Sequence, residues 1–184
     1  MVFNAKDIEG IPPEVKVHNN ITQNEAVDRI IDGMAIKVLN DSPDKAYYSV
    51  TNDDIHLPRK EVFDNDHAYN STLLHELSHA TGAKNRLDRV QSGIMSTSDY
   101  AVEELVAEIS SCFTGADIGL QYEPAEFKNH KAYVQSWISA IEQKQEVLFE
   151  AIRQADRAAD YLLEKGGLLK VNENENENVE EVTE

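Results

Sequence analysis

The chain has 184 residues, 41% of them hydrophobic and 28% charged, which fits one compact domain and is too short for two ordinary ones. Lys and Arg number 17 against 34 Asp and Glu, so the formal charge of −17 argues against a sequence-independent grip on nucleic-acid phosphates. Six of these acids lie in residues 171–184, which hold no Lys or Arg. Without them, residues 1–170 still carry a charge of −11, so the body of the chain is acidic in its own right.

The N-terminal residues lack the basic start and the apolar stretch of a signal peptide. No run approaches the roughly 20 apolar residues that a membrane helix needs. We therefore expect a cytoplasmic protein without a membrane partner. The single cysteine, Cys112, excludes an internal disulfide and a multi-cysteine zinc site.

The N-terminal half is predicted to hold one helix and a pair of strands. Residues 1–20 contain two consecutive prolines and are expected to be irregular. Thr22 can cap a helix whose apolar spacing continues to about Leu39. Two segments rich in Tyr, Val, Ile and Leu, 46–50 and 54–58, flank a turn-like Thr-Asn-Asp and are typical of paired strands.

Helices dominate the prediction for the rest of the chain. They run over about 66–81, 99–119 and 130–165, the last with a break expected near Gln143 or Lys144 and an end at the glycines 166 and 167. The fold class is therefore α+β, with a small antiparallel or mixed sheet packed against long helices. Residues 1–170 are predicted to form one domain, and the Asn/Glu tail at 171–184 is predicted to be disordered.

The sharpest chemical signal is the HExxH pattern formed by His75, Glu76 and His79 inside the first of these helices. Residues four apart stand one turn above each other, so both imidazoles can reach one metal ion. Zn²⁺ suits two neutral imidazoles and an oxygen ligand. Glu76, at the edge of that face, is expected to take a proton from water activated by the ion.

A catalytic zinc site needs a third protein ligand. The HExxHxxGxxH arrangement is excluded because Asn85 stands where its third His belongs. The next helix offers Glu104 and Glu108 on one face, and the apolar residues around them indicate that this helix is substantially buried. We expect Glu104 to bind the metal and Glu108 to accept the spare N–H of a ligating histidine. Glu103 remains a rival for the ligand role.

Three further side chains are candidates for the neighbourhood of the metal. The strand at 54–58 is expected to be an edge strand that pairs with extended substrate. His56 on that strand would then lie near the cleft, although a solvent-facing position is the better expectation. Tyr69 and Tyr100 are both candidates to donate a hydrogen bond to a developing oxyanion, and the sequence does not choose between them.

Beyond HExxH, the chain carries a series of short motifs: Val-Phe-Asn-Ala at 2–5, Ile-Glu-Gly at 8–10, Asp-Ile-His-Leu-Pro at 54–58, Thr-Leu-Leu-His-Glu-Leu-Ser-His at 72–79, Thr-Gly at 81–82, Arg-Leu at 86–87, Tyr-Ala-Val-Glu-Glu-Leu-Val-Ala-Glu at 100–108, Ala-Tyr-Val-Gln-Ser-Trp at 132–137 and Ala-Ala-Asp-Tyr-Leu at 158–162. In this order they resemble the zincin-like metallopeptidase domain of ArdC-type antirestriction proteins. That domain is also found in polyvalent proteins of plasmids and phages.

The resemblance implies a zincin fold, a gluzincin-like His/His/Glu zinc site, a catalytic-type Glu and an origin in mobile elements that help incoming DNA escape restriction. ArdC-type proteins usually carry an N-terminal single-stranded-DNA-binding domain as well. The present sequence matches only the metallopeptidase part, as a fragment or a free-standing version, so we do not expect DNA binding from it.

Two functions remain in competition. The first is a zinc metallopeptidase that hydrolyses a protein or peptide, such as a host defence protein, with Glu76 as general base. The second is an acidic binding module that inhibits a host nuclease by presenting DNA-like negative charge, without proteolysis. A third hypothesis treats the zinc as purely structural, in which case chelation would unfold the domain and the metal would have no open coordination position.

Overall fold

A computed structural model describes residues 21–89, 98–120 and 145–169 of the chain. The predictions for the lead-in at 1–20, the helix break near Gln143 and the tail at 171–184 lie outside the described residues. So does the domain boundary at 170.

The first helix, α1, runs over Gln23–Met34 and begins where the sequence predicted. Thr22 is its N-cap, and the Thr22 hydroxyl accepts a hydrogen bond of 3.2 Å from the backbone N–H of Glu25. The predicted continuation to Leu39 is wrong. Ala35 takes a left-handed conformation with φ 51° and ends the helix, and the chain then extends into strand β1, Lys37–Leu39. Ile36 therefore reaches the core from the segment that follows the helix.

Three short strands form one mixed sheet in the order β1-β3-β2. Strand β2, Tyr47–Ser49, and strand β3, Asp54–His56, pair antiparallel, which confirms the predicted pair. Strand β1 pairs parallel with β3 on its other side. The expectation that the 54–58 segment is an edge strand is wrong, because β3 has hydrogen-bonded neighbours on both sides and Ile55 and Leu57 are fully buried.

Helix α2, Asp66–Ala80, carries the HExxH pattern and follows a short 3-10 helix, Lys60–Val62. Its N-cap is Asn65, whose side-chain oxygen accepts a hydrogen bond of 2.8 Å from the backbone N–H of Ala68. The apolar face predicted for this helix is confirmed, since Leu73, Leu77 and Ala80 are fully buried or nearly so.

Two long helices complete the described fold. Helix α3, Ser98–Asp117, packs against both α2 and helix α4, Gln145–Lys165. Small and branched side chains of α3 interlock with alanines of α4; the core of this contact consists of Ala101, Leu105, Val106, Ala151 and Ala155. The predicted end of α4 at the glycine pair is confirmed, with Gly167 at φ 62°.

This combination of a three-stranded mixed sheet with long helices confirms the α+β fold class. Because α3 packs along α2, the buried faces of the two helices that carry the candidate ligands meet inside the protein. Among the described helices, none combines the length and the apolar character needed to cross a membrane.

Candidate metal centre

The predicted ligands converge where α2 and α3 meet. The Nε2 atoms of His75 and His79 lie 3.2 Å apart, as expected for residues one helical turn apart on one face. From α3, one oxygen of Glu104 lies 3.6 Å from Nε2 of His75, and the other lies 3.6 Å from Nε2 of His79. These three residues each offer a ligand atom within 4.8 Å of the others.

The donor set fits a small divalent cation. Ligand bonds of 2.0–2.1 Å in tetrahedral geometry place neighbouring ligand atoms about 3.4 Å apart. The observed separations of 3.2 and 3.6 Å bracket that value. Two imidazoles and one carboxylate are also the ligand types of catalytic zinc sites that keep a fourth position open.

The outer nitrogens of the two imidazoles face carboxylates as well. Oε2 of Glu108 lies 3.3 Å from Nδ1 of His75, where the sequence placed an acceptor for a spare histidine N–H. Oε1 of Glu103 lies 3.2 Å from Nδ1 of His79. Because Glu103 meets the nitrogen that points away from Glu104, the geometry favours Glu104 over Glu103 as the third ligand.

The cluster of carboxylates sets the electrostatics of the centre. Burial lowers the pKa of His75, but hydrogen bonds to Glu104 and Glu108 and the charge of Glu76 outweigh it and raise this pKa to about 10. Burial raises the pKa of Glu104, yet the two imidazoles lower it overall. The centre therefore has a surplus of negative charge, which is the field that a divalent cation requires.

Glu76 lies beside this centre. Its side chain is buried, with 6% of the residue exposed, and it lines a cavity of about 370 Å³ together with His75, His79 and Glu104. Strand β2 and its flanks, residues 46–48 and 50, also line this cavity. A substrate in this cavity would contact the ligands, Glu76 and the outer strand of the sheet at once.

Of the two tyrosines proposed as oxyanion donors, Tyr100 lines the cavity and Tyr69 does not. Tyr100 lines the cavity and donates a hydrogen bond to Glu104; burial, followed by that bond, raises its pKa, so the phenol stays protonated. Tyr69 instead shares a hydrogen bond with Asn40, packs edge-on against Phe63 and is not among the cavity residues.

His56 is not among the residues that line the cavity, and the expectation that it faces solvent is wrong. Only 14% of its side chain is exposed. Its Nδ1 lies 2.7 Å from Asp41 and its Nε2 lies 3.2 Å from Asp54, while its ring stacks on Tyr47. The hydrogen bond with Asp41 raises its pKa, and the contacts of His56 join strand β3 to the loop that follows β1.

One residue of the centre was missed by sequence reasoning. Arg89 follows α2 in a turn, and its guanidinium donates hydrogen bonds to both oxygens of Glu103, at 3.0 and 2.8 Å. Its side chain is only 6% exposed. An arginine ten residues after the second motif histidine was the available signal, but nothing in the spacing ties a loop arginine to an acid on the next helix.

Two related proteins align with most of this chain. It is 36% identical over 162 residues to an Escherichia coli DNA primase TraC and 34% identical over 162 residues to the uncharacterized protein y4eC of Sinorhizobium fredii. Each alignment covers 88% of the present chain. The chain spans only 15% of that primase and 52% of y4eC.

Solved structures of a related protein share the fold. Two crystal structures of the antirestriction protein ArdC from plasmid R388, one Mn(II)-bound and one metal-free, match with TM-scores of 0.69 and 0.65. Their identities to this chain are 35% and 33%. Both matches cover 91% of the present chain, and 62% and 60% of the respective ArdC chains.

The Mn(II)-bound structure shows that a related protein takes up a divalent metal ion. A family model described as zincin-like metallopeptidase matches residues 25–154, which include α2, α3 and all of the candidate ligands. Family, fold and donor geometry therefore agree, and the chain belongs to the zincin-like metallopeptidase family.

Proposed function

We propose that this domain is a zinc-dependent peptidase in which His75, His79 and Glu104 hold the metal and Glu76 is the general base. The observation that carries the proposal is the buried carboxylate of Glu76 in the same cavity as the three converging donors. A bound Zn²⁺ would polarise the substrate carbonyl and lower the pKa of water to near neutrality.

The residues of the chain divide the remaining work. Glu76 accepts a proton from the attacking water as the new C–O bond forms, and returns it to the nitrogen as the C–N bond breaks. The protonated phenol of Tyr100, on the cavity wall, redirects its hydrogen bond from Glu104 to the substrate carbonyl oxygen as negative charge develops there. The proposal thus chooses Tyr100 over Tyr69 as the oxyanion donor.

The substrate we propose is an extended segment of a protein, such as a host defence protein. Strand β2 is an edge of the described sheet, and two of its residues, Tyr47 and Tyr48, line the cavity. An extended peptide can add to such an edge through backbone hydrogen bonds. The role that the sequence assigned to the 54–58 strand therefore passes to Tyr47–Ser49. Because the R388 relative is named an antirestriction protein, a host restriction component is the first substrate to test.

The test separates metal binding from turnover. Glu76→Gln should keep the bound metal but lose peptide hydrolysis by about 10²- to 10⁴-fold, the usual contribution of a general base. His75→Ala should lose both. Glu61→Gln is a matched control, since Glu61 is exposed and lies on the short 3-10 helix. Metal content by mass spectrometry and cleavage of a peptide library would be measured on the same samples, loaded with Zn²⁺ or Mn²⁺.

Cleavage by Glu76→Gln at the parent rate would overturn this mechanism. The acidic-inhibitor hypothesis needs none of this geometry. Its signature would be inhibition of a nuclease that survives Glu76→Gln and weakens steeply as salt is added.

A further inference from the structure

Arg89 connects the end of α2 to α3 through five hydrogen bonds. Two go to the carboxylate of Glu103, as described above. The guanidinium also donates to the carbonyl oxygen of Ser78 at 2.8 Å and to the hydroxyl of Thr81 at 2.6 Å. The backbone N–H of Arg89 donates to the carbonyl oxygen of Gly82 at 3.0 Å. The guanidinium is therefore held in one orientation.

The carboxylate that Arg89 grips is the one that meets His79. Oε1 of Glu103 accepts from Nη2 of Arg89 at 2.8 Å and lies 3.2 Å from Nδ1 of His79. Its other oxygen accepts from Nε of Arg89 at 3.0 Å. Because both oxygens are engaged by the planar fork of the guanidinium, the plane of the carboxylate is set by Arg89.

We propose that Arg89 is a positioning residue for the metal centre, which acts through Glu103 to fix the ring orientation and the tautomer of His79. A carboxylate only accepts hydrogen bonds, so Glu103 requires the proton of a neutral His79 on Nδ1. Nε2 then carries the lone pair that a metal ion binds, and it is Nε2 that faces His75 and Glu104. The inference rests on the metal centre of the proposed function and extends it to a residue outside the ligand cluster.

The chain contains a matched control, Arg86. Its side chain is also 6% exposed; it grips both oxygens of a carboxylate, Asp53, at 2.7 and 2.9 Å, and it also donates to a backbone carbonyl near the end of α2, that of Ala80. The carboxylate of Asp53 meets Tyr48 and no candidate ligand. Both arginines close the end of the same helix, but only Arg89 reaches a motif histidine.

The experiment compares Arg89→Met, Arg89→Lys and Arg86→Met with the parent protein. The affinity for Zn²⁺ would be measured by competition with a chelating dye. The tautomer of His79 would be read in the metal-free proteins from ¹⁵N shifts of labelled histidine, with His79→Gln to assign the signal. Circular dichroism would first confirm that each variant is folded, so that both measurements compare folded proteins.

Arg89→Met should weaken zinc binding by about 10- to 100-fold, the usual cost of losing a partner behind a ligand. It should also move His79 away from the Nδ1–H tautomer. Arg89→Lys, which keeps the charge but not the fork, should recover part of the affinity. Arg86→Met should change the zinc affinity by less than about twofold, even if its melting temperature falls as far as that of Arg89→Met.

Two results would overturn the inference. One is parent-like zinc affinity together with a parent-like His79 signal in Arg89→Met. The other is an equal loss of affinity in Arg86→Met, which would indicate a general structural effect. A parent protein that binds no zinc would instead overturn the proposed function. The His79 signal would then still decide whether Arg89 fixes this ring.

Discussion

At the residue scale, each histidine of the motif has one nitrogen facing the candidate metal position and one facing a carboxylate of α3. Glu108 meets Nδ1 of His75 and Glu103 meets Nδ1 of His79. Both carboxylates are 8% exposed or less in their side chains. Such partners hold a ligand ring in place and raise its basicity, so the metal affinity depends on residues that do not touch the metal.

We expect Glu108→Gln to weaken metal binding by about tenfold or more, because a neutral amide is a poorer acceptor for the N–H of His75. Chelator competition would measure the affinity. Glu164→Gln is a suitable control, since Glu164 is exposed on α4. An affinity within about twofold of the parent would show that Glu108 does not support His75.

The sequence allowed Glu108 to be predicted but not the function of Glu103 behind His79. The four-residue spacing of Glu104 and Glu108 predicts a shared helix face, and the structure places both beside His75. Glu103 lies one residue away on the same helix, and the sequence left it as a rival for the ligand role. Which imidazole nitrogen it meets depends on how α2 and α3 pack, and the packing of two helices is not encoded in the spacing of either one.

At the scale of elements, α1 and α4 approach each other closely at one glycine. A Cβ placed on Gly33 would lie 1.8 Å from the carbonyl oxygen of Lys165, which is backbone and cannot move aside as a side chain would. The close approach of the two helix ends therefore requires glycine at this position.

Gly33→Ala should consequently destabilise the protein by about 1–3 kcal/mol or more, as overpacking does. At a helical position with room for a side chain, a change from glycine to alanine would instead stabilise the protein, since alanine is favoured over glycine by about 1 kcal/mol. Urea denaturation would measure the free energy of unfolding. Asp28→Ala, at an exposed position of the same helix, is the control and should remain within about 0.5 kcal/mol of the parent. A Gly33→Ala protein as stable as the parent would contradict the close packing.

The turn between β2 and β3 is tied to the end of α2 by Asp53. Arg86 holds its carboxylate from one side and the hydroxyl of Tyr48 donates to it at 2.8 Å from the other. The hydrogen bonds from Arg86 lower the pKa of Asp53 below its ordinary value, despite the opposing effect of burial. This contact holds the cavity-lining strand against the motif helix.

Because the pKa of Asp53 is lower in the folded state, its ionised form stabilises the fold above the ordinary carboxyl pKa of about 4, and this contribution is lost as the pH falls further. Asp53→Asn should therefore lower the melting temperature at pH 7, and the difference from the parent should shrink in acid. Asparagine also tolerates the φ of 55° at this position, so the backbone is not the cause. A difference that is constant between pH 7 and pH 3 would contradict this account.

The elements themselves were predictable where a pattern is long. The spacing of apolar residues predicts α2, α3 and the C-terminal part of α4 to within a few residues. Strand β1 was missed because three residues are too short for a period, and Ile36 fits equally well on the face of α1. The central position of β3 escaped prediction because it depends on that missed strand.

At the scale of the whole molecule, the candidate ligands join two helices that are distant along the chain, with His75 and His79 on α2 and Glu104 on α3. An ion that binds this arrangement binds the folded state and not the unfolded chain. Metal binding and folding are therefore linked, and free metal at a hundredfold above the Kd adds about 2.7 kcal/mol to the free energy of unfolding.

We expect the melting temperature to rise with added Zn²⁺ in the parent protein and to return when the metal is chelated. The melting temperature of His75→Ala should be the same with and without metal. Differential scanning calorimetry would check both statements. A parent protein that melts at the same temperature in chelator and in excess Zn²⁺ would contradict the linkage, whereas one that is unfolded without metal would point to a purely structural ion.

The acidity of the chain also takes a more definite form at this scale. From the sequence, the formal charge of −17 served mainly as an argument against binding to nucleic-acid phosphates. The structure places Glu76, Glu103, Glu104 and Glu108 around two histidines, so a few of the many carboxylates have a local purpose. The family was predicted from the order of motifs, and the α+β class from the pattern of helices and strands. The arginine that organises the centre did not.

The central claim is that three side chains from two helices hold a metal ion beside Glu76. A crystal structure of the Zn²⁺-loaded protein, with data collected on both sides of the zinc absorption edge, tests it most directly. We predict one anomalous peak about 2.0–2.1 Å from Nε2 of His75, Nε2 of His79 and an oxygen of Glu104, with a fourth position open toward the cavity. A peak bound to Glu103 in place of Glu104, or no peak at this position, would contradict the account.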